Sequence, residues 1–103
     1  MVDFSQDFKG KRVVVTGAAG IFGGWIAKAF ANAGAELLLT DADGSRLASA
    51  AQEIGGAHLQ HVADLTSDAD IKSLLSAIAE RWDSADVLVN NAGIYPSGFL
   101  LDL

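Results

Sequence analysis

The sequence contains no cysteine, which excludes disulfides, thiol catalysis and cysteine-ligated metal sites. Basic residues are few: seven lysines and arginines stand against thirteen aspartates and glutamates, which gives a net charge of −6. Because phosphate binding needs a basic face, we expect no nucleic-acid partner. Apolar runs reach only about five residues, far below the ~20 that cross a bilayer, and residues 1–8 lack the pattern of a signal peptide. We therefore expect no membrane partner and a cytoplasmic location.

Proline occurs once, whereas glycine occurs eleven times, and half of the 103 residues are hydrophobic, which suits one compact domain. Short apolar segments alternate with stretches of helical periodicity, and these segments lie at 12–16, 36–40, 58–62 and 86–90. The first contains the run Val13-Val14-Val15, typical of a parallel strand covered on both faces. The alternation predicts an α/β fold. We expect a Rossmann-like, doubly wound parallel sheet with strand order 3-2-1-4, ending after strand 4, as a single domain over residues 1–103.

Two of the predicted helices carry apolar stripes that are expected to face the sheet. The first stripe consists of Ile21, Trp25, Ile26, Ala29, Phe30 and Ala33, and the other ends at Trp82. We therefore expect Trp25 and Trp82 to be core residues. His58 and His61 are predicted to point to opposite faces of one strand, so they cannot share a metal, and we expect no metal site.

A glycine-rich turn joins the first strand to the first helix and reads Thr16-Gly17-Ala18-Ala19-Gly20-Ile21-Phe22-Gly23. Gly17 can turn tightly, Gly20 lets backbone N–H groups approach a ligand, and Gly23 lets the helix lie close to the sheet. The helix N-terminus then offers N–H donors to a pyrophosphate. The alternative is that the glycines only shape a tight connection. The position between a buried strand and a helix favours dinucleotide binding.

An aspartate follows the second strand and another follows the third. Asp41 lies eighteen residues beyond Gly23, where the dinucleotide pattern places an acid that binds the adenosine ribose hydroxyls. A 2′-phosphate 4 Å from this carboxylate would be disfavoured by roughly 4 kcal/mol at an effective dielectric of 20, which predicts NAD in preference to NADP. Asp41 can alternatively form a turn or cap a helix. Asp64 has a similar alternative, as an acid at a helix N-terminus.

The fourth strand leads into Leu88-Val89-Asn90-Asn91-Ala92-Gly93. Together with the glycine turn, Asp41 and Asp64-Leu65, this element resembles the short-chain dehydrogenase/reductase family over residues 11–103. The resemblance implies that Asp64 and Leu65 flank the adenine, that Asn91, Ala92 and Gly93 line the ribose side of the cleft, and that the loop up to Phe22 holds the phosphates. The cofactor-binding residues implied are Gly17, Ala19, Gly20, Ile21, Phe22, Gly23, Asp41, Asp64, Leu65, Asn91, Ala92 and Gly93. One departure is Ile21, because the commonest branch of the family has glycine there.

The family's catalytic set comprises a serine, a Tyr-x-x-x-Lys pair and a helix asparagine, all downstream of the Asn-Asn-Ala-Gly element. The only tyrosine here is Tyr95, and Phe99 stands where the lysine would be. We therefore expect no catalytic residue in this chain, which resembles the N-terminal, cofactor-binding half of an NAD(P)-dependent oxidoreductase and should be inactive alone. The full-length protein is expected to act on a small alcohol or carbonyl compound and to form a homo-oligomer. The alternatives are a non-catalytic dinucleotide-binding or regulatory module and a fragment of an extended-branch sugar-nucleotide epimerase or dehydratase.

Overall fold

The computed structural model describes residues 9–56, 58–82 and 85–89. Four strands and three helices alternate along this part of the chain: β1 Arg12–Thr16, α1 Ile21–Asn32, β2 Glu36–Asp41, α2 Gly44–Ile54, β3 Leu59–Val62, α3 Asp68–Trp82 and β4 Val87–Val89. The strands form one parallel sheet in the order β3-β2-β1-β4, which confirms the predicted fold class and strand order. That residues 1–103 form a single domain stays a prediction.

The two central strands are buried on both faces of the sheet. Val13 and Val15 pack with Leu37 and Leu39 against α1 and α2, whereas Val14 packs on the opposite face against α3. This division follows from right-handed crossovers: the chain moves from β1 to β2 to β3 in one direction and then returns to β4 over the other face. The pairing brings the carboxyl ends of β1, β2 and β3 to the same edge of the sheet.

The face that α1 turns toward the sheet matches the predicted stripe only in part: Phe30 packs against the core and the C-cap residue Ala33 is buried. Gly23 and Ala27 are the buried residues of the helix, while Ile21 and Trp25 are 73% and 67% exposed. The prediction that Trp25 lies in the core is therefore wrong, and the prediction for Trp82 is confirmed. The physical reason for the difference is close packing: the small residues Gly23 and Ala27 let the helix approach the sheet, so Ile21 and Trp25 point outward.

Three element boundaries also differ from those predicted. β2 continues to Asp41, β3 begins one residue after His58, and β4 begins at Val87 instead of residue 86. The Asp86 N–H donates to the Arg12 carbonyl (2.8 Å) and the Asp86 carboxylate accepts from the Arg12 N–H (2.8 Å). Asp86 thus fastens the chain entering β4 to the start of β1.

Candidate cofactor-binding site

The glycine turn after β1 is a tight turn whose backbone depends on glycine at one position. Gly17 has φ +63°, in the left-handed region that favours glycine. Its carbonyl accepts from the Gly20 N–H (3.0 Å), and the Ala18 N–H donates to the Thr40 carbonyl of β2 (3.1 Å). A side chain at Gly20 would bring its Cβ within 3.4 Å of the Gly17 oxygen. The turn is thus compact and held against the neighbouring strand.

The N-terminus of α1 carries no side-chain cap. Its N-cap residue is Gly20, and no acidic residue lies in the first turn. The first hydrogen bond of the helix runs from the Gly24 N–H to the Gly20 carbonyl (2.9 Å), so the N–H groups of the preceding three residues have no carbonyl within the helix. Those donors and the positive end of the helix dipole are the features that bind phosphate.

Asp41 lies against this turn. One carboxylate oxygen, Oδ2, accepts from the Ala19 N–H (3.1 Å), and the other, Oδ1, accepts from the Asp43 N–H (3.1 Å). Asp41 thus forms a turn with Asp43, as one of the alternatives predicts. It does not cap α2, because the N-cap of that helix is Asp43, whose carboxylate accepts from the Arg46 N–H (3.1 Å). A carboxylate offers about four acceptor positions. The two backbone hydrogen bonds use two of these positions, and the other two can accept from a ligand.

Asp64 is exposed, and its carboxylate is oriented by Thr66. Asp64 Oδ1 accepts from the Thr66 hydroxyl (2.6 Å) and from the Thr66 N–H (2.9 Å). These two hydrogen bonds hold the pKa of the Asp64 carboxyl below its ordinary value. The Asp64 N–H donates in turn to Asp70 Oδ2 (2.8 Å) in the first turn of α3. Asp64 is thus held from both sides, with its carboxylate ionised at neutral pH.

Backbone hydrogen bonds join the segments that the sequence predicts as one site. The Ala63 N–H donates to the Asp41 carbonyl (3.0 Å), so the chain leading to Asp64 is fastened to the end of β2. Leu65 is a buried residue, 7% exposed, and belongs to the core cluster that contains Leu74. Asn91, Ala92 and Gly93 lie outside the described residues, as does Tyr95.

The sequence places Phe22 in the phosphate-binding loop, but it does not predict the aromatic surface that Phe22 forms with Trp25 beside the turn. Phe22 and Trp25 are both exposed and pack edge to face, with ring centroids 5.7 Å apart. The residues from Ala18 to Ile21 and Trp25 line a hollow of about 350 Å³ that continues between α1 and α2. The signal that could have found this surface is the placement of small residues: Gly23 and Ala27 mark the buried face of α1, so Trp25, midway between them, faces outward.

Within the described ranges, no three histidine or acidic side chains come together as a possible metal site. His61 is hydrogen-bonded through Nε2 to the Ser73 hydroxyl of α3 (3.0 Å), whereas the His58 ring lies against Gly56. Over the same ranges, no helix has both the length and the apolar composition of a membrane span.

Comparisons with known proteins place the chain in a family. L-fucose dehydrogenase of Oryctolagus cuniculus is 40% identical over 89 residues, which are 86% of this chain and 31% of that protein. A crystal structure of a 3-ketoacyl-(acyl-carrier-protein) reductase from Brucella melitensis, complexed with NADH, superposes with a TM-score of 0.76 at 40% identity, covering 84% of this chain and 35% of the other. A metagenomic short-chain oxidoreductase in complex with NADP gives 0.77 at 34% identity, with coverage of 84% and 41%.

The chain spans about a third of the length of the curated relatives it matches. Those relatives are named as dehydrogenases and reductases, which favours neither the regulatory module nor the epimerase alternative. The sequence model described as short chain dehydrogenase matches residues 11–103. With that match, the parallel sheet and the glycine turn before α1, the chain belongs to the short-chain dehydrogenase family.

Proposed function

We propose that this chain is the dinucleotide-binding part of an NAD(P)-dependent oxidoreductase. The observation that carries the proposal is the hydrogen bond from the Ala19 N–H to Asp41, which brings a ribose-binding carboxylate beside an uncapped helix N-terminus. A dinucleotide needs both groups next to each other: N–H donors for the pyrophosphate and a carboxylate for the ribose hydroxyls. The residues present therefore fit the adenosine half of the cofactor.

We propose further that NAD is bound in preference to NADP. A 2′-phosphate on the ribose would lie beside the Asp41 carboxylate, where the repulsion between two unit charges 4 Å apart is roughly 4 kcal/mol at an effective dielectric of 20. Arg46 lines a hollow of about 260 Å³ beside Ala19 and is the nearby cation that would oppose this effect. The similar structures include one with NADH and one with NADP, so the preference rests on Asp41.

Titration calorimetry with NAD⁺ and NADP⁺ tests this proposal. We expect NAD⁺ to bind at least about tenfold more tightly, and the substitution Asp41→Ala to narrow the gap because it removes the repelling charge. Asp43→Asn is the matched control: it removes a neighbouring negative charge and keeps an N-cap for α2. The control should leave the preference for NAD⁺ in place. Equal affinity of the wild-type chain for both cofactors would contradict the preference.

The chemistry of the longer protein follows from the proposed cofactor. A bound nicotinamide supplies the hydride acceptor or donor, while this chain binds and orients the adenosine and pyrophosphate. The curated relatives include dehydrogenases named for L-fucose, D-threitol, sorbitol and galactitol. Those names support an alcohol or carbonyl substrate. A homo-oligomeric state and a cytoplasmic location are proposed with it, from the sequence alone.

A further inference from the structure

The turn between β1 and α1 is fastened to β2 at two successive residues. The Ala18 N–H bonds to a backbone carbonyl, that of Thr40, and so depends on no side chain. The Ala19 N–H bonds instead to the Asp41 carboxylate, at 3.1 Å. Ala19 directly precedes Gly20, the N-cap of α1. The Asp41 side chain therefore holds Ala19, the residue before the N-cap, and so affects the direction in which the N-terminus of α1 points.

We infer that Asp41 is also a positioning residue, because its carboxylate holds the glycine turn in the conformation that aims the N-terminus of α1 at a phosphate. This inference rests on the proposed function and extends it. Ribose recognition and pyrophosphate binding are then coupled through one side chain: Oδ2 fixes the turn, and the remaining acceptor positions bind the ribose.

The two roles of Asp41 predict opposite effects on a ligand that has phosphates but no adenosine. As a charge alone, the carboxylate repels such an anion, so removing it should strengthen binding. As an anchor of the turn, it keeps the N–H donors aligned, so removing it should weaken binding. Inorganic pyrophosphate is the simplest ligand of this kind. The direction of the change separates the two roles.

Asparagine would not preserve the anchor. Both carboxylate oxygens of Asp41 face backbone N–H groups, those of Ala19 and Asp43. An asparagine amide has a single oxygen, and its NH₂ group would face the second N–H donor. Only a carboxylate of this length satisfies both. Glutamate keeps the charge but places it one methylene farther from the turn, so Asp41→Glu retains the repulsion without the anchor.

The experiment measures pyrophosphate and NAD⁺ binding to the wild-type chain, Asp41→Ala, Asp41→Glu and the control Asp43→Asn. Backbone amide NMR follows the signals of Gly20 to Gly23 during titration. We expect the loss of the hydrogen bond to the Asp41 carboxylate to lower pyrophosphate affinity about five- to tenfold in Asp41→Glu, which keeps the repelling charge. In Asp41→Ala the affinity should fall by a smaller factor, because the loss of the charge offsets part of the effect. It should stay the same or rise slightly in Asp43→Asn. Unchanged or increased affinity in Asp41→Ala would overturn the positioning role.

A second measurement needs no variant. In a pH series of the wild-type chain, the Ala19 and Asp43 amide protons should show the same step, because both amides donate to the Asp41 carboxylate. An Ala19 amide proton without that step would overturn the inference. If the wild-type chain, shown to be folded by its amide spectrum, binds neither pyrophosphate nor NAD⁺, the proposed function is overturned as well. If it binds NAD⁺ and only the Asp41 effects are absent, the positioning role alone is wrong.

Discussion

Thr66 determines how the Asp64 carboxylate is presented. Both donors of Thr66, its hydroxyl and its N–H, bond to the same oxygen, Oδ1. The second oxygen, Oδ2, is therefore the acceptor that remains for an adenine amine if Asp64 lies beside the base, as the family resemblance implies. The two oxygens therefore have different roles: Oδ1 holds the loop through Thr66, and Oδ2 is available to a ligand.

We expect Thr66→Val to raise the pKa of Asp64 toward its ordinary value, because the hydroxyl contributes most to the lowering. Thr66→Ser keeps the hydroxyl and should leave the pKa low. A lowered pKa in the folded state stabilises the fold above the unfolded pKa, and this contribution is lost as the pH falls through the folded value. The stability difference between Thr66→Val and Thr66→Ser that arises from Asp64 should therefore be present at neutral pH and shrink in acid.

NMR titration of the Asp64 carboxyl carbon checks the pKa, and urea unfolding at several pH values checks the stability. A threonine-to-valine change that leaves the Asp64 midpoint where it is in the wild type would contradict the role given to the hydroxyl. A stability difference between the two variants that increases as the pH falls would contradict the expected direction of the pH dependence.

At the scale of the elements, α3 is held to the sheet at its C-terminus by Arg12. The Arg12 guanidinium donates to the Trp82 carbonyl, the last residue of the helix, while Trp82 itself packs in the core. A cation at this end also interacts favourably with the helix dipole. The contact joins the first strand to the helix that precedes the last described strand, 70 residues later.

Arg12→Met should destabilise the fold by about 1 kcal/mol, because it removes this charged hydrogen bond and keeps the aliphatic stem. For a domain of this size, such a loss lowers Tm by about 4–8 °C. Lys72→Met is the control, since Lys72 is exposed in the second turn of the same helix, far from Trp82 in the chain. Thermal unfolding followed by circular dichroism measures both. Equal effects of the two substitutions would show that the Arg12 contact contributes nothing.

The order of the elements could be predicted from the sequence because buried parallel strands and glycine turns leave strong local patterns. Val13 to Val15 mark a strand covered on both faces, and the right-handed crossover rule then orders the sheet. The orientation of α1 could not be predicted in the same way. Hydrophobic periodicity weights large side chains, whereas close packing of α1 on the sheet selects Gly23 and Ala27.

The sequence predicts which residues form the candidate site, but it does not predict the hydrogen bonds among them. Spacing places Asp41 at the end of β2, yet the hydrogen bond to Ala19 joins residues 22 positions apart and depends on how the turn folds back. Similarly, the family resemblance predicts that Asp64 and Leu65 lie beside the adenine. The sequence does not show that Leu65 is also a core residue, which follows from consecutive residues pointing in different directions.

At the scale of the whole molecule, the sheet has two unlike edges among the described residues. β3 pairs with β2 and contains Gln60 and His61 between Leu59 and Val62, whereas β4 pairs with β1 and consists of three apolar residues that are half-buried. An apolar strand with one open edge is a template for pairing with another chain. Complete burial of one such side chain contributes roughly 1.5–3 kcal/mol, against a stability of about 5–15 kcal/mol for a domain.

We expect the 103-residue chain, prepared alone, to be marginally stable and to self-associate through β4. Light scattering should show a mass that rises with concentration, and hydrogen exchange should slow at Val87–Val89 as it does so. The amides of Leu59–Val62 provide an internal comparison, because two of the four residues of β3 are polar and its edge should exchange at the same rate at every concentration. A monodisperse monomer with a high and reversible melting transition would contradict this expectation, as would protection that grows at β3 and not at β4.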